Sequence, residues 1–120
     1  MRGGLSNRDR STITLSDSVL SSNQAIGGAG DAGSNGGNGF DGGAYNDGQS
    51  TLTILTSTIS VNQAGGGSDG ARRSAGLGEG GGLYVADGGI ACLDTFTQAH
   101  TTNNQATTDY DSIFGSFTTC

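Results

Sequence analysis

Residues 50–67 read STLTILTSTISVNQAGGG, and residues 11–28 read STITLSDSVLSSNQAIGG. Laid over one another at an offset of 39 residues (50 − 11), the two stretches match at Ser, Thr, Asn, Gln, Ala and Gly positions. Within TITL and TLTI polar and apolar residues alternate, so Ile13, Leu15, Leu52 and Ile54 share one face of an extended chain. Leu20 and Ile59 continue that inward row, with Ser21 and Ser60 pointing outward. β-Branched Thr, Ile and Val stiffen at χ1 and suit a pleated strand better than a helix. A 3.6-residue period never appears.

The same offset extends outward from this core sentence. Gly3-Gly4-Leu5-Ser6-Asn7 falls on Gly42-Gly43-Ala44-Tyr45-Asn46, and that on Gly81-Gly82-Leu83-Tyr84-Val85. The third copy drifts: Asp47-Gly48 answers to Asp87-Gly88 at offset 40, and Asn62-Gln63-Ala64 to Asn104-Gln105-Ala106 at offset 42. Three units result, at 3–41, 42–80 and 81–106, followed by a capping segment at 107–120. Each unit reads as three short strands joined by tight bends. One unit cannot bury its apolar row alone, so units must stack about 4.8 Å apart. Stacking puts Ile13 over Leu52, Leu15 over Ile54, and Asn23 over Asn62 over Asn104. Asparagines stacked at a bend can bond their amides up and down the pile. Ala25, Ala64 and Ala106 are small enough for a turn into a cramped interior. The expectation is an all-β parallel β-helix, a solenoid of about three coils.

Composition agrees with stacked strands more than with a compact globule. The 120 residues include 24 Gly, no Pro and no Trp, with 32% hydrophobic and 6% aromatic residues. The net charge is −6, and the five basic residues are all arginine: Arg2, Arg8, Arg10, Arg72 and Arg73. Such a chain repels phosphate backbones, which argues against nucleic acid. Its longest apolar runs fall far short of the roughly 20 residues that cross a bilayer, so membrane insertion by this segment is not expected. Residues 1–10 lack the apolar stretch of a signal peptide. Residues 27–41 and 65–80 are Gly/Ser/Asn/Asp-rich and read as mobile loops thrown from one corner of each coil.

The stretch GGAYNDGQSTLTILTSTISVNQAGGG (residues 42–67) resembles the coil unit of bacterial right-handed β-helix surface proteins, the polymorphic outer-membrane and autotransporter-passenger repeats. A Gly-Gly-apolar-Tyr start, an alternating Thr/Leu strand, an Asn-x-Ala bend and a glycine loop carry the resemblance over residues 3–106. It implies a right-handed solenoid, an extracellular or cell-surface location and a non-enzymatic, adhesin-like role. The partners it implies are other surface proteins or glycans, and upstream coils of the same solenoid. The start at a Gly-Gly coil opening reads as a fragment of a longer exported protein.

Several residue groups suggest chemistry, each beside a plainer reading. GGNGFD (Gly36–Asp41) matches the opening of a Ca²⁺-binding nonapeptide repeat, with Asp31, Asp41 and Asp47 as ligands. The apolar anchor is missing, which leaves no core for such a repeat, and a solvated acidic loop explains these residues better. Thr12, Thr14, Thr51 and Thr53 would stack as a flat threonine array of the ice-binding kind. The array ends at Ile90 and Cys92, and outward threonine is also ordinary strand chemistry. Carbohydrate binding or processing is the main alternative function. It would use Arg72–Arg73 with Asp69 and Glu79, or a carboxylate pair among Asp94, Asp109 and Asp111. His100 has no partner at metal-ligand spacing. Cys92, outward where Thr53 sits one unit earlier, can meet Cys120 in a disulfide, or both can stay free thiols. Phe96, Tyr110, Ile113, Phe114 and Phe117 read as a hydrophobic plug over the last coil. No catalytic residues, metal or cofactor are expected.

Overall fold

The computed structural model describes residues 3–71 and 73–120. The chain alternates short strands with bends, and every strand pair is parallel. A first tier contributes β1 (Leu5–Asn7), β2 (Thr12–Ser16), β3 (Val19–Ser21), β4 (Gln24–Ile26) and β5 (Gly39–Phe40). A second contributes β6 (Ala44–Asn46), β7 (Thr51–Leu55), β8 (Thr58–Ser60), β9 (Gln63–Gly65) and β10 (Gly78–Glu79). Each strand pairs with its namesake 39 residues on: Leu5 with Ala44, Ile13 with Leu52, Leu15 with Ile54, Leu20 with Ile59.

The first two tiers hold five strands each, not three. Ala25 and Ala64 are fully buried in the middle of β4 and β9 rather than at a turn. These extra strands are two or three residues long, too short for alternation to register. Bends between strands pass through the left-handed region at Asp17 and Thr56, and again at Ser22, Val61 and Asn103.

The third tier contains β11 (Leu83–Val85), β12 (Ile90–Leu93), β13 (Thr101–Thr102) and β14 (Gln105–Ala106). Its register differs from the sequence alignment. Val85 pairs with Asn46 and Ile90 with Thr51, so the offset stays at 39 on both sides of Asp87-Gly88. Those two residues therefore do not sit over Asp47-Gly48. The extra residues enter later, where α1 (Thr95–Ala99) replaces a simple bend. From Thr101, which pairs with Ile59, the offset is 42. Asp94 caps α1 by accepting the Thr97 N–H at 2.8 Å, and its other oxygen accepts the Thr56 N–H of the tier before.

A single core runs through three of the sheets. Leu52, Ile54, Ile59, Leu83 and Leu93 have no exposure, and Ala44, Val85 and Ala91 complete the cluster. Burying each large aliphatic side chain stabilises by about 1.5–3 kcal/mol. Leu5, Ile13, Leu15 and Leu20 pack against it from the first tier but stay half-exposed.

The closing segment adds strands rather than a plug. β15 (Ile113–Phe114) pairs with β11 and β16 (Thr118–Thr119) with β12. Of the five residues expected to plug the end, only Ile113 reaches the core. Strand alternation turns Phe114 outward, onto the Tyr84 ring. Phe96 stacks on His100, and Tyr110 and Phe117 are exposed. A Cys92–Cys120 disulfide ties the segment down, with Cα atoms 5.4 Å apart.

Candidate functional site

Two hairpins of glycine-rich chain, residues 27–39 and 66–78, lie one on the other. Inside each, a glycine amide bonds across: Gly37 N–H to the Gly28 carbonyl at 2.8 Å, and Gly76 N–H to that of Gly67 at 2.9 Å. Between them, Gly30 N–H donates to Ser68, Gly36 N–H to Ser74 and Gly39 N–H to Leu77, at 2.8 to 3.0 Å. In the other direction Gly67 N–H donates to Gly37 at 2.8 Å and Leu77 N–H to Asn38 Oδ1 at 2.8 Å. Among their described residues the segments form no strand ladder except at β5 and β10.

Such contact is possible only without side chains. A Cβ on Gly27 would lie 1.7 Å from the Gly37 oxygen, and one on Gly76 would lie 1.9 Å from that same oxygen. These glycines are therefore packing residues, as at the crowded axis of collagen. The segments expected to be mobile loops are instead hydrogen-bonded to each other, and together they make a fin. Asp31, Ser34, Asn35, Asp69 and Arg73 are exposed on it. Arg72, half of the expected arginine pair, lies outside the described residues.

Two asparagine ladders support the corners. Asn62 Nδ2 donates to Asn104 Oδ1 at 3.0 Å and to the Leu20 carbonyl at 2.9 Å, while its own Oδ1 accepts both amides of Asn23. Asn104 Nδ2 in turn reaches the Ile59 carbonyl. The other ladder joins Asn7 to Asn46 at 2.8 Å and stops at Val85, where Asn46 donates instead to the Ile90 and Ser50 carbonyls. Its signal was the Asn7/Asn46 match itself.

On the outer face of β6, β11 and β15 the aromatic residues form a stack that the sequence reading missed. Tyr84 and Phe114 are parallel at 4.3 Å, Tyr45 and Tyr84 are stacked at 5.7 Å, and Tyr110 meets Phe114 edge-on. Parallel in-register strands place every second outward residue directly above its equivalent, which produces the stack. Burial first, and then the negative charge of Glu79, push the Tyr84 hydroxyl's pKa up. The ring faces are used on one another, so they offer little flat platform to a sugar.

No protein family, curated protein or solved structure matches this chain. The acidic residues must be judged by what they touch. Asp41 is buried and accepts the Gly3 N–H; Asp47 accepts the Asp9 and Gln49 amides; Asp31 is exposed. Among the described residues no three His, Cys, Asp or Glu side chains gather as a metal site. Asp94 caps a helix, Asp109 accepts the Tyr110 N–H and Asp111 the Ala106 N–H. Each is bound to local backbone. Hydrogen bonds from Ser50 and from the Asp9 and Gln49 amides hold Asp47 below its ordinary pKa; those from Thr97 and Thr56 do the same for Asp94. His100 is exposed, with Nδ1 2.8 Å from the Phe96 carbonyl. The outward threonines stack in pairs, Thr12 with Thr51 and Thr14 with Thr53; the rows continue into Ile90 and Cys92.

Proposed function

We propose that the chain is a non-enzymatic scaffold. In this reading the tiers are coils of a right-handed parallel β-helix, and its rigid frame displays the glycine fin to other surface proteins or glycans. The observation that carries it is the fin's internal hydrogen bonding in the register of the sheets beneath, which holds the exposed Asp31 and Asp69 in a fixed arrangement. The repeat resemblance supports an extracellular or cell-surface site. The Cys92–Cys120 disulfide supports an oxidising compartment.

Carbohydrate recognition is the second reading; with the ring faces taken up on one another, it would rest on the half-exposed edges of Tyr45, Tyr84 and Phe114 and on the Glu79 carboxylate beside Tyr84. The test is binding of the oxidised protein to a glycan array and to intact cells, with and without Ca²⁺. Cell binding lost in Asp31→Arg/Asp69→Arg but kept in Tyr84→Ala supports display by the fin. Glycan binding abolished by Tyr84→Ala overturns it in favour of carbohydrate recognition.

A further inference from the structure

The two ends of the molecule are finished differently. At the C-terminal end, β15 and β16 cover β11 and β12, and Thr107 and Thr108 hydroxyls accept the Gly66 and Gly78 amides at the base of the fin. At the N-terminal end the sheet edges are β1, β2, β3, β4 and β5, and at the C-terminal end they are β15, β16, β13, β14 and β10.

Three features of that end share one geometry. Asn7 is 1% exposed; its Nδ2 reaches Asn46 Oδ1 and the Thr51 carbonyl, while its own Oδ1 is buried with no hydrogen-bond partner among the described residues. In the ladder below, that oxygen position accepts an amide from the tier before. Next, a Cβ on Gly67 would lie 2.0 Å from the Gly28 carbonyl oxygen, yet a Cβ on Gly28 would meet nothing within 4 Å. Gly76 is pressed on Gly37 in the same way, and Gly37's own Cβ would sit a tight 3.1 Å from the Gly28 backbone nitrogen. At Gly28, then, glycine stands where the described structure does not require it. Finally, Leu5, Ile13, Leu15 and Leu20 are half-exposed, while Ala44, Leu52, Ile54 and Ile59, which they pair with, are sealed.

We infer that this face seats one more coil of the same design, which brings an asparagine amide to Asn7 Oδ1, a glycine hairpin to Gly28 and Gly37, and an aliphatic row to Ile13 and Leu15. The inference rests on the β-helix reading. A second copy of this chain does not fit. Two N-terminal faces would set one Asn7 acceptor against another, and the C-terminal face, though its strands β10, β13, β14, β15 and β16 are also edges, carries Val85 and then Gly115 at the position of this ladder, with no amide side chain to offer Asn7. An unsatisfied buried acceptor costs free energy that an incoming donor restores.

The experiment places a second copy of residues 42–80 ahead of Gly3, so that Gly80 precedes Gly3 in the usual order. Hydrogen exchange in β2 should slow about tenfold or more, and the melting temperature should rise by about 5 °C or more. Gly28→Ala should leave the 120-residue protein unchanged but cancel both gains in the lengthened one. Replacing Asn46 by Asp in the added copy alone should reduce them. Unchanged exchange in β2, with the added copy readily proteolysed, overturns the inference. So does a dimer of the 120-residue protein that protects β2. Failure of the β-helix reading itself would appear separately, as absent protection in β7 and β12 of the unlengthened chain.

Discussion

Gly67 lies against Gly28 so closely that a methyl group on Gly67 would fall 2.0 Å from the Gly28 carbonyl oxygen. The two hairpins meet backbone to backbone, and an oxygen held by its neighbours cannot yield as a side chain would. Gly67→Ala should therefore destabilise the protein by about 1–3 kcal/mol, as overpacking does. Gly28→Ala should stay within about 0.5 kcal/mol. Urea unfolding of the two variants checks the contrast, and equal losses would contradict it.

Asn62 is buried and bonds to both neighbouring tiers. Asn62→Leu removes the acceptor of the Asn23 amides and the donor to the Leu20 carbonyl and Asn104. Unmet buried groups at about 1–3 kcal/mol each make a loss of roughly 2–5 kcal/mol. Chemical denaturation reads it, with Gln24→Ala, on the exposed side of the same corner, as the mild control.

Val61 has φ 58° and is 57% exposed. A β-branched residue in the left-handed region is strained, and its outward side chain recovers little by burial. Asn103 occupies the equivalent bend one tier later with φ 55°. Val61→Asn should raise stability by about 1 kcal/mol. A fall in the thermal midpoint would count against this account of the bend.

Asp47 and Asp94 have lowered pKa values in the folded state, so the stability they contribute is present above the unfolded value and lost as pH falls through the folded one. Stability should decline below about pH 4. Asp47→Asn and Asp94→Asn should flatten that acid limb. Tyr84 has a raised pKa, so its contribution is complete below about pH 10 and fades above it, and Tyr84→Phe should flatten the alkaline limb. Unfolding midpoints across pH measure both slopes.

The Cys92–Cys120 disulfide spans 28 residues and holds β16 on β12. Its loss by Cys120→Ser should cost roughly 3–4 kcal/mol on the loop-entropy estimate. Exchange should accelerate in Ile113–Thr119 while β7 keeps its protection. Uniform acceleration through the second tier would show that the closing segment is not a separate unit.

The strand register was legible where alternation and repetition coincide. TITL and TLTI place Ile13 over Leu52 and Leu15 over Ile54 because a period of two and an offset of 39 allow one superposition. The third tier was harder. Asp87-Gly88 resembles Asp47-Gly48, but backbone pairing at Val85 and Ile90 outweighs side-chain likeness at an exposed turn. The aromatic stack was hidden because Tyr45, Tyr84 and Phe114 are separated by 39 and then 30 residues (84 − 45 and 114 − 84). The shortened last interval appears only once the closing segment has found its strand.

Alternation and repetition in the sequence by themselves determined which side chains face inward and which residues stack, since both are local consequences of an extended chain repeated at fixed length. Tertiary structure alone decided that the glycine-rich segments pack into a fin. Glycine carries no side chain to announce a partner, and its role becomes visible only when a neighbouring carbonyl occupies the place where a Cβ would be.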